Sequence, residues 1–142
     1  VFAEALFNLI RKHELFERQG DDLFCEVPVP LDVAALGGEV EVPTTEGFAK
    51  IKLAPSTENG RMFRLRGKGM PNIEGYGLGD LHVRVVVEVP AKLNAKQKKL
   101  LKEYGESREN DTYPRAKHVR DLAESFFSRR DAIEKEPPPE NH

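Results

Sequence analysis

Tryptophan is absent from this 142-residue chain, and Cys25 is its only cysteine. A single thiol excludes an internal disulfide framework and any cysteine-based metal cluster, and it fits a reducing compartment. Long apolar runs are missing too, since none approaches the ~20 residues that span a bilayer. The opening VFAEALFNLI is apolar but carries no basic leader and no small-residue cleavage site, so it does not read as a signal peptide. The first residue is not Met, and the chain is expected to be a fragment or a trimmed piece. Charge of one sign is also lacking: 22 basic and 24 acidic side chains leave a net charge of −2. That balance argues against bulk polyanion binding, which needs a basic face.

Catalytic and cofactor signatures are equally scarce. The stretch LRGKGMP, residues 65–71, is basic and glycine-spaced, but Lys68 is followed by Gly69, Met70 and Pro71. A phosphate loop needs a longer glycine spacing, a hydroxyl after its lysine, and a helix to follow. The downstream GYGLGD also leads into a strand, not into the helix that a dinucleotide fingerprint requires. Gly67, Gly69, Gly75, Gly77 and Gly79 read instead as residues that let a long connection turn sharply, with Pro71 stiffening it. His13, His82, His118 and His142 have no ligand-like spacing, and His82 is expected to be solvated on the polar face of a strand. No serine lies in a nucleophile elbow. Asp21, Asp22 and Asp80 stand at strand starts, where turn or capping roles are commoner than acid–base pairs. Lys96, Lys98, Lys99 and Lys102 are interleaved with Leu100, Leu101 and Glu103, the pattern of a solvated helix face and not of a nucleic-acid patch.

What is present is alternation. Residues 1–19 are compatible with a helical stripe through Phe2, Leu6, Leu9, Ile10 and His13, or with a strand end from a preceding domain. From Asp21 the period is two: Leu23, Cys25, Val27 and Val29 share one face, and Pro28 marks an edge or an early end. LDVAALGG gives a short helical turn stopped by Gly37 and Gly38. Val40 and Val42, then Ala49, Ile51 and Leu53, then Phe63 and Leu65 continue the alternation. Leu81, Val83, Val85, Val87 and Val89 make the strongest strand face. After Pro90 the period turns helical, with Asn94 as N-cap, Gly105 as stop, and a second helix over about 115–135. The expected fold is mainly β: a double-layered antiparallel β-sandwich with a short helix, followed by C-terminal α-helices.

Two surfaces stand out. Val40, Val42 and Phe48 could receive an extended peptide by strand addition, although core filling is the favoured reading of the two valines. Leu122, Phe126, Phe127 and Ile133 give the last helix more apolar surface than a lone helix should expose, which favours a second chain as its partner.

LRGKGMP, then GYGLGDLHVRVVVEVPAKLNAKQKKLLKEYGE, resembles the C-terminal region of DnaJ-type J-domain co-chaperones. RKHELFERQGDDLFCEVPVPLDVAALGGEVEVPT is similar to the junction and opening strands of that family's second C-terminal sandwich subdomain. The resemblance covers about residues 11–106. It implies a lead-in over 1–19, the subdomain over 20–106, a dimerisation segment over 107–136 and a disordered tail over 137–142. Residues 1–8 lack the expected Gly-Asp-Leu opening and read as a cut, altered or vector-derived start. The family implies a non-enzymatic cytoplasmic protein that binds unfolded client polypeptides, forms a homodimer, and assists a DnaK-type heat-shock chaperone through the full-length protein. No nucleic acid, membrane or cofactor is implied. Zinc is expected only with the family's cysteine-rich region, which this sequence lacks along with the J domain's His-Pro-Asp motif. By analogy with the groove of the first subdomain, Val40 and Val42 lie on the client-pairing strand, and Leu122, Phe126, Phe127 and Ile133 would join two chains. A purely architectural module and a glycan-binding sandwich are the alternatives. The second is poorly served by scattered Tyr76, Tyr104 and Tyr113.

Overall fold

The computed structural model describes residues 2–72 and 77–135. Gly75 and the tail over 137–142, for which expectations were stated above, lie outside these residues. Two compact units divide between Ala91 and Lys92.

The first unit opens with helix α1 (Phe2–Lys12), so the helical alternative for the lead-in is the one adopted. Its inward face is set by Ile10, which is buried, with Leu6 and Phe7 packed beside it. Leu9 and His13 point out instead. The Arg18 guanidinium lies 4.3 Å from the Phe7 ring centroid and caps this contact.

Strands β1 (Glu17–Gln19), β2 (Asp22–Pro30), β5 (Met62–Leu65) and β6 (Leu81–Glu88) form one sheet in the order β1-β2-β6-β5. Strands β3 (Gly38–Thr44) and β4 (Gly47–Leu53) form the other. The two-layer sandwich is as expected, and β1–β2, β3–β4 and β5–β6 are antiparallel. Its central pair, β2 with β6, is parallel, running from Leu23↔Leu81 to Pro30↔Glu88. Alternation within a strand reports its buried face and not the direction of its neighbour. A parallel pair needs a long crossover, and residues 31–80 supply it.

The core lies between the layers. Leu23, Cys25, Leu81 and Val83 meet Val42, with Val40, Ala49 and Ile51 packed against them. Val29, Val85, Leu53 and Ala34 of helix α2 (Leu31–Leu36) continue it toward the other end. Each fully buried leucine or valine contributes roughly 1.5–3 kcal/mol relative to exposure. Val87 is only half-buried, and Val89 lies beyond the strand and is exposed.

Pro28 fits its strand for a specific reason. The Leu23 N–H donates to the Asp80 carbonyl, so odd residues of β2 turn their main chain toward β6 and even residues turn it away. Strand β1 covers that far edge only from Asp22 to Phe24. Pro28 and Pro30 therefore face an open edge, where a missing N–H costs nothing.

LRGKGMP is a strand end followed by a clipped loop. Strand β5 stops at Leu65, and Met70 enters the core at 2% exposure. The Met70 N–H donates to the Asp21 carbonyl, and Gly69 and Gly79 sit in a ladder formed by Gly69 N–H to Gly79 O and Gly79 N–H to Met70 O. A Cβ on Gly79 would overlap the Asp21 carbonyl group. The two glycines are needed for this close backbone approach more than for turning.

The second unit holds helices α3 (Ala95–Glu106) and α4 (Pro114–Lys135). Asn94 caps α3 with a full capping box, its side chain accepting from Gln97 N–H while Gln97 Oε1 accepts from Asn94 N–H. That box starts the helix where expected, but the helix runs one residue past Gly105. The Tyr104 and Tyr113 hydroxyls, 2.8 Å apart, hold the connection between α3 and α4.

Gly79→Ala should lower the urea midpoint by an amount worth roughly 1–3 kcal/mol, since backbone must move to admit one methyl. Gly105→Ala, with open space around it in a helix, should instead be neutral or stabilising by roughly 0.5–1 kcal/mol. Circular dichroism during urea titration checks both.

Candidate functional site

The β3–β4 hairpin positions the first predicted surface. Val42 is paired with Ala49 and is fully buried; Val40 is paired with Ile51 and packs on both halves of the core. Both valine side chains thus fill the sandwich interior. Phe48, opposite Pro43, faces the other way and is 74% exposed. The hairpin does not bring the three side chains onto one surface. What the valine strand does offer outward is main chain. Thr44 pairs with Gly47 across a tight loop, and such a closing pair is hydrogen-bonded. Alternation then turns the N–H and C=O groups of Glu39 and Glu41 to the side where β3 has no neighbouring strand.

Helix α4 positions the second. Leu122, Phe126 and Ile133 fall on one stripe, and Val119 extends it by one turn. These four side chains are 56–70% exposed. Phe127 flanks them, its ring meeting Phe126 edge-on at 6.1 Å and lying under the Arg130 guanidinium. None of the described residues of α4 is buried. Val119 was missed in the sequence, though its three-residue spacing from Leu122 carries the signal.

A polar clasp was missed as well. His82 lies on the outer face as expected but is only partly exposed: its ring stacks on Phe24 with centroids 4.6 Å apart, and Nε2 lies 3.0 Å from Asp22 Oδ2. The other Asp22 oxygen accepts the Asp80 N–H. Asp80 in turn accepts the Gly67 N–H and pairs with Arg64. Lys68 pairs with Glu46 of the hairpin loop. Asp22 and Asp80 therefore do take the structural roles that strand starts favour. They tie the starts of the two central strands to the LRGKGMP loop, Asp80 through the Gly67 N–H, and they hold Arg64 and His82. The clasp depends on the register Phe24↔His82, which no local pattern reveals.

The electrostatics follow the same contacts. Asp22 lies below its ordinary value of 3.8, chiefly through the Asp80 N–H and then through His82. Asp80 is lowered chiefly by the Gly67 N–H and then by Arg64. Burial pushes the Cys25 thiol up, away from the reactive thiolate. Among the described residues, no three His, Cys, Asp or Glu side chains converge as a metal site, and no helix is long and apolar enough to cross a membrane.

Carboxylates whose folded pKa is lowered supply stability that is present above the unfolded value near 3.8 and is lost as pH falls through the folded values. The urea midpoint should therefore fall as pH drops below about 4. Asp80→Asn should lower the midpoint at neutral pH and flatten that acid limb; a limb of unchanged steepness would remove Asp80 from the account.

The family model of the DnaJ C terminal domain matches residues 5–90, spanning most of α1, both sheets and the glycine-clipped loop. The match includes the parallel central pair, the open β3 edge and the clasp. It stops where the first compact unit ends, just before α3. With more than half of its residues inside that match, the chain belongs to the DnaJ C-terminal domain family, a co-chaperone family.

Proposed function

We propose that this chain is the polypeptide-holding and chain-joining part of a DnaJ-type cytoplasmic co-chaperone, which delivers unfolded clients to a DnaK-type heat-shock chaperone and catalyses nothing itself. The observation that carries this reading is the open edge of β3. An extended client segment can add there as a further strand, bonding to the main chain of Glu39 and Glu41 and to the Pro43 carbonyl. Such bonds ignore client sequence, which suits a protein that meets many unfolded chains. Exposed Phe48 adds apolar contact on the outer face of the hairpin. Val40 and Val42 act from behind by fixing the strand.

Helix α4 supports the second half of the reading. A stripe of Val119, Leu122, Phe126 and Ile133, with Phe127 beside it, fits the matching stripe of a second copy. Two chains would present two weak edges to one client. The second contact is then intramolecular, and avidity exceeds either site alone. Burial of Val42 favours one rival, an architectural module that joins chains without holding clients.

Fluorescence anisotropy with a labelled, apolar, unstructured peptide separates the two. Saturable binding is expected, weakened several-fold by Glu41→Pro, which deletes an edge donor and leaves the core intact. No binding at high micromolar concentration would leave the architectural role alone. Polar replacement of Val40 and Val42 would probe the core and not the edge. Light scattering should give a dimer that becomes a monomer when Phe126 and Phe127 are both changed to serine; an unchanged mass would remove α4 from the dimer.

A further inference from the structure

The outer face of the four-stranded sheet holds a concavity of about 660 Å³, apart from the β3 edge. Its floor is the Phe24–His82 stack. Met62 of β5 and Leu15, before β1, stand at its sides, 44% and 41% exposed. Even residues of β2 and β6 point here because odd ones fill the core, so Glu26 and Arg84 lie beside the stack at the next register pair. Glu17, opposite Phe24 on β1, and Glu14 complete the rim.

The charges on this rim are unequal. Glu14, Glu17 and Glu26 form no ion pair among the described residues, and Arg84 is the one cation set against them. The other charged groups on the face are committed, Asp22 to His82 and Arg64 to Asp80. An aromatic floor with apolar sides, ringed by excess carboxylate, is complementary to cationic side chains interleaved with apolar ones. The open edge of β2 beside it carries Pro28 and Pro30, so a ligand gains little by strand addition and must be held through side chains.

We propose that this face docks a short segment of another protein in which lysine or arginine alternates with large apolar residues, its apolar side chains on Phe24, Met62 and Leu15 and its cations against Glu14, Glu17 and Glu26. The site is separate from the β3 edge and selects by charge, which main-chain pairing cannot do.

The full chain is titrated by anisotropy with three labelled peptides: alternating Lys and Leu, alternating Glu and Leu, and alternating Lys and Ser. Only the Lys–Leu peptide should bind tightly, and added salt should weaken it. The double variant Glu14→Lys with Glu26→Lys changes exposed side chains only and should weaken that peptide about tenfold. Glu41→Pro should leave it unchanged. Equal binding of the Lys–Leu and Glu–Leu peptides would overturn the proposal, as would equal binding of Lys–Ser or indifference to the double variant. Loss on Glu41→Pro without loss on the double variant would also overturn it, and would leave the β3 reading standing.

Discussion

The parallel pairing of β2 with β6 is the constraint on which the remaining architecture depends. It places Leu23, Cys25 and Val29 in register with Leu81, Val83 and Val87, so two strands distant in sequence share one buried face. It also sends residues 31–80 through the second layer before the chain can return, and thereby supplies the β3–β4 lid that closes the core. Parallel neighbours are usually buried on both faces. Here the outer face is left uncovered, and polar groups take up the difference through the Phe24–His82 stack and the Asp22–Asp80 clasp.

Division of labour follows from parity along each strand. Residues of one parity are spent on the interior, and the others face outward. In β3 this assigns the valines to packing and leaves glutamate main chain at the edge. In β2 it assigns prolines to the edge and an aromatic to the outer face. The same sheet architecture thus keeps one edge available and blunts another. The second unit obeys a different rule. Its helices owe their positions to local devices, the Asn94–Gln97 capping box and the Tyr104–Tyr113 contact, and they bury nothing on their own.

Much of this was legible in the sequence, for physical reasons that differ by element. The faces of β2 and β6 and the start of α3 follow from local periodicity and capping. The family follows from the ordered run of motifs, which no single glycine pattern would carry. Partner strands were not legible, because an alternating strand looks the same beside a parallel or an antiparallel neighbour. The partners of His82 were not legible for that reason: they arrive from residue 22 and residue 24, far along the chain. LRGKGMP reads as a glycine-shaped connection, and nothing local shows that it folds back and buries Met70. Val40 and Val42 fill the core, the favoured reading of their alternation, while the strand that carries them leaves its backbone at the edge of a sheet.

The two glutamates on β3 have a consequence for the protein's own company. A strand left open to foreign chains is equally open to copies of itself, and polymerisation would follow if nothing discouraged it. Two β3 strands paired antiparallel about Val40 would set Glu39 of each copy opposite Glu41 of the other. Like charges directly opposed across a strand pair repel. Pro43 withholds one of the few remaining donors. An incoming chain without such carboxylates meets no such opposition, so the edge can be adhesive to strangers while being poorly adhesive to kin.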